Sequence, residues 1–492
     1  MNARDLAALS PLVVTAAAAV VVMLGIACCR SHRLTIGLTL LGLVAAIVSL
    51  APASRIAPRH VTALLVMDPY ALLYSGLILA AALAVAMFSY GYLERRRGRR
   101  EEFYLLLLTA TLGALVLAAS DHFVSFFLGL EILSVSLYAL VAYPRAAPIS
   151  IEAGIKYLVL AGVSSAFLLF GMALVYADLG TLAFSRLAEA AAGAASPAPG
   201  QLPQVAVLAG LGLIIVGIGF KLALVPFHLW TPDVYEGAPA PTTAFVATVS
   251  KGAVFALLVR YFTVLNVHQY PPLMLLLAIL AIASMFVGNL LALRQRNLKR
   301  LLAYSSISHM GYLLVALMAS GPQAAAAVTY YLAAYFVTTL GAFGVVAALS
   351  GGEKDADVLE DYRGLAWRRP GPAAVLTVMM LSLAGIPLTA GFIGKFYVLR
   401  AGVDSSLWLL VLVLVANSTI GLFYYLRVIR TLYGRQAERA AEVGAPESAP
   451  TAPRIGVLAA AALAALVLLL GWLGVYPAPA LRAIEAAVSG LF

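Results

Sequence analysis

The chain has little charge. Only 11% of its 492 residues are Asp, Glu, Lys or Arg, and mean hydropathy reaches +0.98. Soluble domains carry about a quarter of their residues as charges, so a water-soluble globule is excluded. Cysteine is almost missing as well. Cys28 and Cys29 stand side by side, which excludes an ordinary bridge between them and any CxxC metal spacing. The sequence also lacks a GxGxxG turn opening a βαβ unit, a GxxxxGK[ST] phosphate loop and a pair of intramembrane histidines placed to clamp a haem. The chain is therefore expected to bind no cofactor and no metal itself.

What it has is apolar length. With 63% hydrophobic residues, runs of roughly 18 or more read as membrane spans. They fall at 8–28, 34–52, 71–93, 103–119, 122–143, 155–177, 204–225, 241–263, 271–293, 301–319, 324–349, 372–399, 406–426 and 456–476. This predicts an all-α polytopic membrane protein of about 14 helices, a single domain over 1–492. The first run has no basic n-region and no small-residue cleavage pattern ahead of a soluble domain, so it is read as a retained span.

The net charge of +10 does not point to nucleic acid. The basic residues sit in short connections such as "LERRRGRREEF" (93–103), "LRQRNLKRL" (293–301) and "LAWRRPG" (365–371). Odd-numbered connections hold about 20 Lys and Arg against about 6 on the other side, so both termini are expected to face away from the cytoplasm. Three longer connections, 179–203, 350–371 and 430–455, are too short for a folded domain.

A few ionisable residues fall inside or beside spans: Glu131, Lys156, Lys221, Lys251, Arg260, Lys395 and Arg427. A lysine at mid-bilayer costs about 2.5–3.5 kcal/mol on insertion scales, so such residues face the bundle interior and mark ion pathways. "GFKLALVPFHLWTPDVYEGAP" (219–239) adds Pro226, which removes an N–H and should break the helix, leaving unpaired carbonyls near Lys221. His228, Asp233 and Glu236 follow in the same stretch. "LAGIPLTAGFIGKFYVLR" (383–400) repeats the pattern, with Gly385, Pro387 and Gly394 interrupting span 12 ahead of Lys395. Two broken spans in corresponding positions predict inverted five-helix repeats, helices 4–8 and 9–13, with the site at the breaks. The chain then divides into 1–100, 101–265, 266–430 and 431–492.

Lys251 lies ten residues into span 8, with no acid in its own span. His309 sits among Tyr304, Ser305, Ser306 and Ser308 and titrates near neutrality if hydrated. Lys156 follows Glu152 at i+4, on one helix face, and ranks below the other lysines; His228 ranks with it.

Three blocks, 219–255, 296–314 and 382–399, together resemble the antiporter-like membrane subunits of respiratory complex I. Within that group, "LGLEILSVSLYAL" (128–140), 152–171 and "DADVLEDYRGL" (355–365) look most like the N-type subunit of bacterial NADH–quinone oxidoreductase. Lys395 stands where the M-type carries a glutamate, and the long lateral helix of the L-type does not follow span 14. Multisubunit cation/proton antiporters and membrane-bound hydrogenases share the broken helices and remain the alternative.

The resemblance implies a proton relay of Glu131, Lys221, Lys251, His309 and Lys395 near the bilayer midplane. It implies that NADH, FMN, iron–sulfur clusters and quinone belong to partner subunits. Neighbouring membrane and peripheral subunits and the lipid of a bacterial inner membrane would surround the chain. The chemistry is reasonable from first principles, because burial eases deprotonation of an amine and a nearby carboxylate opposes it. Moving Glu131 relative to Lys221 would then load or unload a proton.

Overall fold

A computed structural model describes residues 2–187, 205–265, 267–434 and 454–492. Most of the connections 179–203 and 430–455 therefore lie outside the described residues. Among those described, twelve helices are long and apolar enough to cross a membrane. The expected spans at 103–119 and 372–399 hold shorter apolar helices, Glu102–Ala118 and Pro370–Ala384, the latter followed by Ala390–Asp404. A two-residue antiparallel pair, Arg59–His60 with Val66–Met67, stands outside the helices.

Local chemistry sets the helix ends. Asp68 accepts from the Ala71 amide and Asn297 from the Arg300 amide, which satisfies first-turn donors that have no partner within the helix. Pro69, Pro148, Pro271, Pro322 and Pro370 begin their helices, where the missing N–H costs nothing. Arg427 closes the Pro271–Ala292 helix by donating to the carbonyls of Leu293 and Gln295, each at 2.7 Å.

Connections gather at two ends of the bundle. At one end the Val66 amide bonds the Ala119 carbonyl and the Phe123 amide bonds the Leu182 carbonyl. At the other, Asp355 of the 350–364 segment accepts from Tyr92 (2.8 Å), Arg96 (2.6 Å) and Lys299 (2.7 Å). Lys299 is 1% exposed and also donates to the Ala238 carbonyl. Asp355 thus latches segments 92–96, 238 and 299 together. Burial pushes its carboxyl up, but Lys299 and Arg96 outweigh this and hold it below the ordinary carboxylate range.

A depressed folded value means the latch is intact above about pH 3.9 and is lost only as pH falls below that. Asp355→Asn leaves two cations facing a neutral amide, an expected loss of about 3–5 kcal/mol. A heat ramp of the assembled complex on native gels reads this as earlier release of the subunit, with wild type unchanged between pH 5 and 8.

Burial separates core helices from lipid-facing ones. Ala240–Leu265 and Pro322–Leu349 are buried along their whole apolar windows and Leu298–Met318 nearly so, whereas Pro148–Leu179 is only 28% buried. That outer helix exposes Ile155, Val159, Val163 and Phe170, an apolar face suited to lipid. Lys251 and His309 lie on two of the three enclosed helices, and Tyr331 and Tyr335 on the third.

Candidate functional site

Both breaks are present, and each differs from the sequence expectation. The Val205–Leu222 helix stops four residues before Pro226, and the chain resumes as Trp230–Gly237. Two of the carbonyls freed there have partners. Phe220 O accepts from the Trp230 indole at 2.9 Å, and Gly219 O accepts from the Leu224 amide. The second half of the span, through Trp230, thus supplies a donor to one carbonyl that the end of the helix leaves open.

The second break runs from Gly385 to Thr389, around Pro387. Gly385 ends the first half at φ +82°, a left-handed conformation that glycine adopts without a Cβ clash. Gly394 is not part of the interruption; it lies inside the Ala390–Asp404 helix, against Tyr331. Thr389 caps that helix through the Phe392 amide. Lys395 reaches back across the break and donates to the carbonyls of Leu383 and Ala384, both at 3.0 Å, and to Ser418 Oγ at 2.9 Å.

Lys221, Lys251 and Lys395 are 3%, 1% and 7% exposed. Lys221 donates to Ser134 Oγ (2.7 Å) and Tyr157 Oη (3.0 Å). Lys251 donates to Ser306 Oγ at 2.8 Å. Its seat follows a π-helical turn, Val246–Ser250, a wide turn frequent at functional positions. Each ammonium also lies over a tyrosine ring, Tyr157, Tyr235 and Tyr312 in turn, at 5.1–5.6 Å.

None of the three has a carboxylate within ion-pairing distance among the described residues. Glu131 instead accepts from Ser165 Oγ at 2.6 Å. The contrast with other buried cations is sharp. Arg260 makes a bidentate pair with Asp68 at 2.7 and 3.0 Å, and Lys299 holds Asp355. Buried charges kept for architecture are normally paired, whereas these three lysines face only hydroxyls, carbonyls and ring faces.

Between Lys251 and Lys395 lies a hydroxyl-rich string. Tyr335 donates to Ser306 at 2.7 Å, and His309, 3% exposed, has Tyr331 Oη on Nδ1 (2.8 Å) and Tyr425 Oη on Nε2 (3.0 Å). An imidazole with a hydroxyl at each nitrogen can take a proton at one and release it from the other. His309 and Lys395 both line a small cavity of about 10 Å³, the lower bound of space for one water. Between Tyr157 and Tyr235 no hydrogen bond bridges the first lysine to the second among the described residues; Trp230 stacks on Tyr157 there at 4.8 Å.

Lys156 is partly exposed and pairs with both Glu152 and Asp233 at 2.8 Å. Asp233 continues to Arg300 and then Glu236, so Lys156 belongs to a charged string apart from the buried line. His228 is buried in the first break with Nδ1 unpartnered. Among the described residues no group of three or more His, Cys, Asp or Glu is placed to hold a metal.

The sequence reading missed Ser134, Tyr157, Tyr331, Tyr335 and Tyr425, and named Ser306 only as a neighbour of His309. Tyr331 and Tyr335 are four apart in a helix without charges, a spacing that puts both hydroxyls on one face. Nothing in the local sequence distinguishes Tyr425 from its neighbour Tyr424.

The family described as "NADH:quinone oxidoreductase/Mrp antiporter, TM" matches residues 120–421. The chain is similar to NADH-quinone oxidoreductase subunit N of Ectopseudomonas mendocina (strain ymp), with 51% identity covering 99% of this chain and 97% of that relative. Among solved structures, a chain of respiratory complex I from Thermus thermophilus with bound aureothin superposes with a TM-score of 0.80 at 35% identity, covering 97% of this chain and all of that one. A chain of the membrane-bound sulfane sulfur reductase, an archaeal respiratory membrane complex, superposes at 0.85 with 26% identity, covering 99% and 98%.

Proposed function

The chain belongs to the NADH:quinone oxidoreductase/Mrp antiporter membrane family, as a subunit of the N kind, and from that premise we propose that protons cross the membrane along its buried lysines. It is a multi-pass membrane subunit of an NADH–quinone oxidoreductase and assembles with other membrane subunits. We infer that Lys221 loads under the influence of Glu131, and that Lys251, His309 and Lys395 hand the proton on. Lys156 and His228 stand at the margin of this route, in the charged string and in the first break.

The observation that carries the reading is the missing counter-ion. Three buried ammonium groups kept without a carboxylate, beside buried cations that have one, fit groups that must gain and lose a proton. Tyr335, Ser306, Tyr331 and Tyr425 serve as the hydroxyl links, and the small cavity beside Lys395 takes the water that completes the last step. The energy comes from outside the chain, because moving one charge against 100 mV costs about 2.3 kcal/mol. NADH, FMN, iron–sulfur and quinone chemistry is assigned to partner subunits.

On the same reading the two five-helix units are 101–265 and 266–430, flanked by 1–100 and 431–492, with each break in the third helix of its unit. Both termini lie on the non-cytoplasmic side of a bacterial inner membrane. A role in a multisubunit antiporter or energy-converting hydrogenase is the second reading; the matching family takes in Mrp antiporters, and a chain of another respiratory membrane complex superposes closely. The identity of 51% to subunit N against 26% to that chain decides for the first. Copurification with NADH-oxidising subunits distinguishes the two.

The test is NADH-driven proton uptake by inverted vesicles carrying Lys221→Ala or Glu131→Ala, with assembly checked on native gels. Uptake is expected to fall at least about ten-fold in an intact complex. Full uptake in both variants would leave these groups structural.

A further inference from the structure

A large cavity lies away from the lysine line. It encloses about 1280 Å³ between the ends of the helices Pro69–Glu94, Glu102–Ala118, Phe123–Val141 and Pro148–Leu179, at the end of the bundle where Asp355 gathers the basic segments. Its lining carries six arginines, Arg95, Arg96, Arg97, Arg99, Arg100 and Arg145, against two glutamates, Glu102 and Glu353.

The protein satisfies these guanidinium groups only in part. Arg96 holds Asp355 and Arg100 holds Glu94, while Arg99 reaches Glu102 at a loose 3.9 Å. Arg97 and Arg145 are exposed and have no hydrogen-bond or ion-pair partner among the described residues. Arg95 donates to the Ala347 carbonyl, and Arg100 also donates to the carbonyls of Glu94 and Arg96. Arg97 and Arg145 therefore leave donor forks on the cavity lining open to an oxygen-rich anion.

The cavity also has an apolar part. Leu106, Ala139 and Ile151 line it, each near the end of a membrane helix, and Ile151 is 38% exposed. A free anion would use the arginines alone. A phospholipid uses both parts, with its phosphate at the membrane boundary and an acyl chain on the apolar side. We propose that this cavity binds the phosphate headgroup of an anionic phospholipid. Arg97 and Arg145 close on the phosphate as planar forks, and the chain of the lipid lies along Leu106 and Ile151. Basic pockets between membrane helices are suited to such headgroups.

Arginine footprinting with phenylglyoxal, read by mass spectrometry on the assembled complex in nanodiscs, tests the site. Three preparations are compared: phosphatidylcholine alone, phosphatidylcholine with phosphatidylglycerol, and phosphatidylcholine with millimolar inorganic phosphate. Modification of Arg97 and Arg145 is expected to fall about five-fold or more with phosphatidylglycerol, while Arg294, exposed in another basic connection, changes little. Protection by inorganic phosphate alone would mark a free-anion site and overturn the lipid assignment. Protection already complete in phosphatidylcholine would mean that a partner subunit covers the arginines, and an equal fall at Arg294 would mean general surface association; either overturns it too.

Discussion

Lys395→Ala is expected to lower NADH-driven proton uptake at least about ten-fold while the complex still assembles. The side chain crosses the break in its span to bond two carbonyls left open by the end of the Pro370–Ala384 helix. It also lines, with His309, the small cavity of about 10 Å³. A merely architectural cation there would be replaced adequately by another cation. Lys395→Arg makes that distinction, because a guanidinium keeps its charge but does not release its proton. The proton-carrying account expects Arg to be as inactive as Ala; rescue by Arg would make Lys395 a structural clamp. Both variants are read by uptake in inverted vesicles alongside a native gel.

Gly391→Val is expected to remove the subunit from the assembled complex. A Cβ at Gly391 would collide with the carbonyl of Ser382, while the Gly391 amide bonds Ser382 Oγ at 3.1 Å. The two halves of the broken span meet at this point, and the clash has backbone on both sides. Overpacking of this kind costs about 1–3 kcal/mol where side chains can yield, and more where only backbone can move. The displaced half is the one that carries Lys395, so any complex that survives should also pump poorly. Gly162→Val is the matched control, since a Cβ there meets nothing within 4 Å. Native-gel abundance of the subunit should be normal for Gly162→Val and strongly reduced for Gly391→Val.

Much of this was legible in the sequence because the membrane simplifies the problem. Apolar runs give spans by length alone, and an isolated lysine such as Lys221 or Lys251 stands out where every neighbour is apolar. Proline and glycine marked both broken spans correctly. They did not fix the break points, since Trp230 and the 223–229 turn decide where the first helix ends and Gly394 turns out to be helical. The hydroxyl links were hidden for a related reason. Tyr157, Ser306 and Tyr425 are ordinary span residues until packing sets them against Lys221, Lys251 and His309. The paired cations show the same limit. Arg260 looked in the sequence like the lysines, and only its bidentate contact with Asp68, 192 residues away, separates it from them.

The central claim is that the buried lysines are kept for proton transfer and not for architecture, and Lys251→Met tests it most directly. Met is close to lysine in shape without the charge, and replacing an unpaired buried ammonium by an apolar side chain is expected to be neutral or stabilising for the fold. The account predicts a complex that withstands a heat ramp at least as well as wild type yet has lost most of its NADH-driven proton uptake. A complex that pumps normally with Met at this position would contradict it.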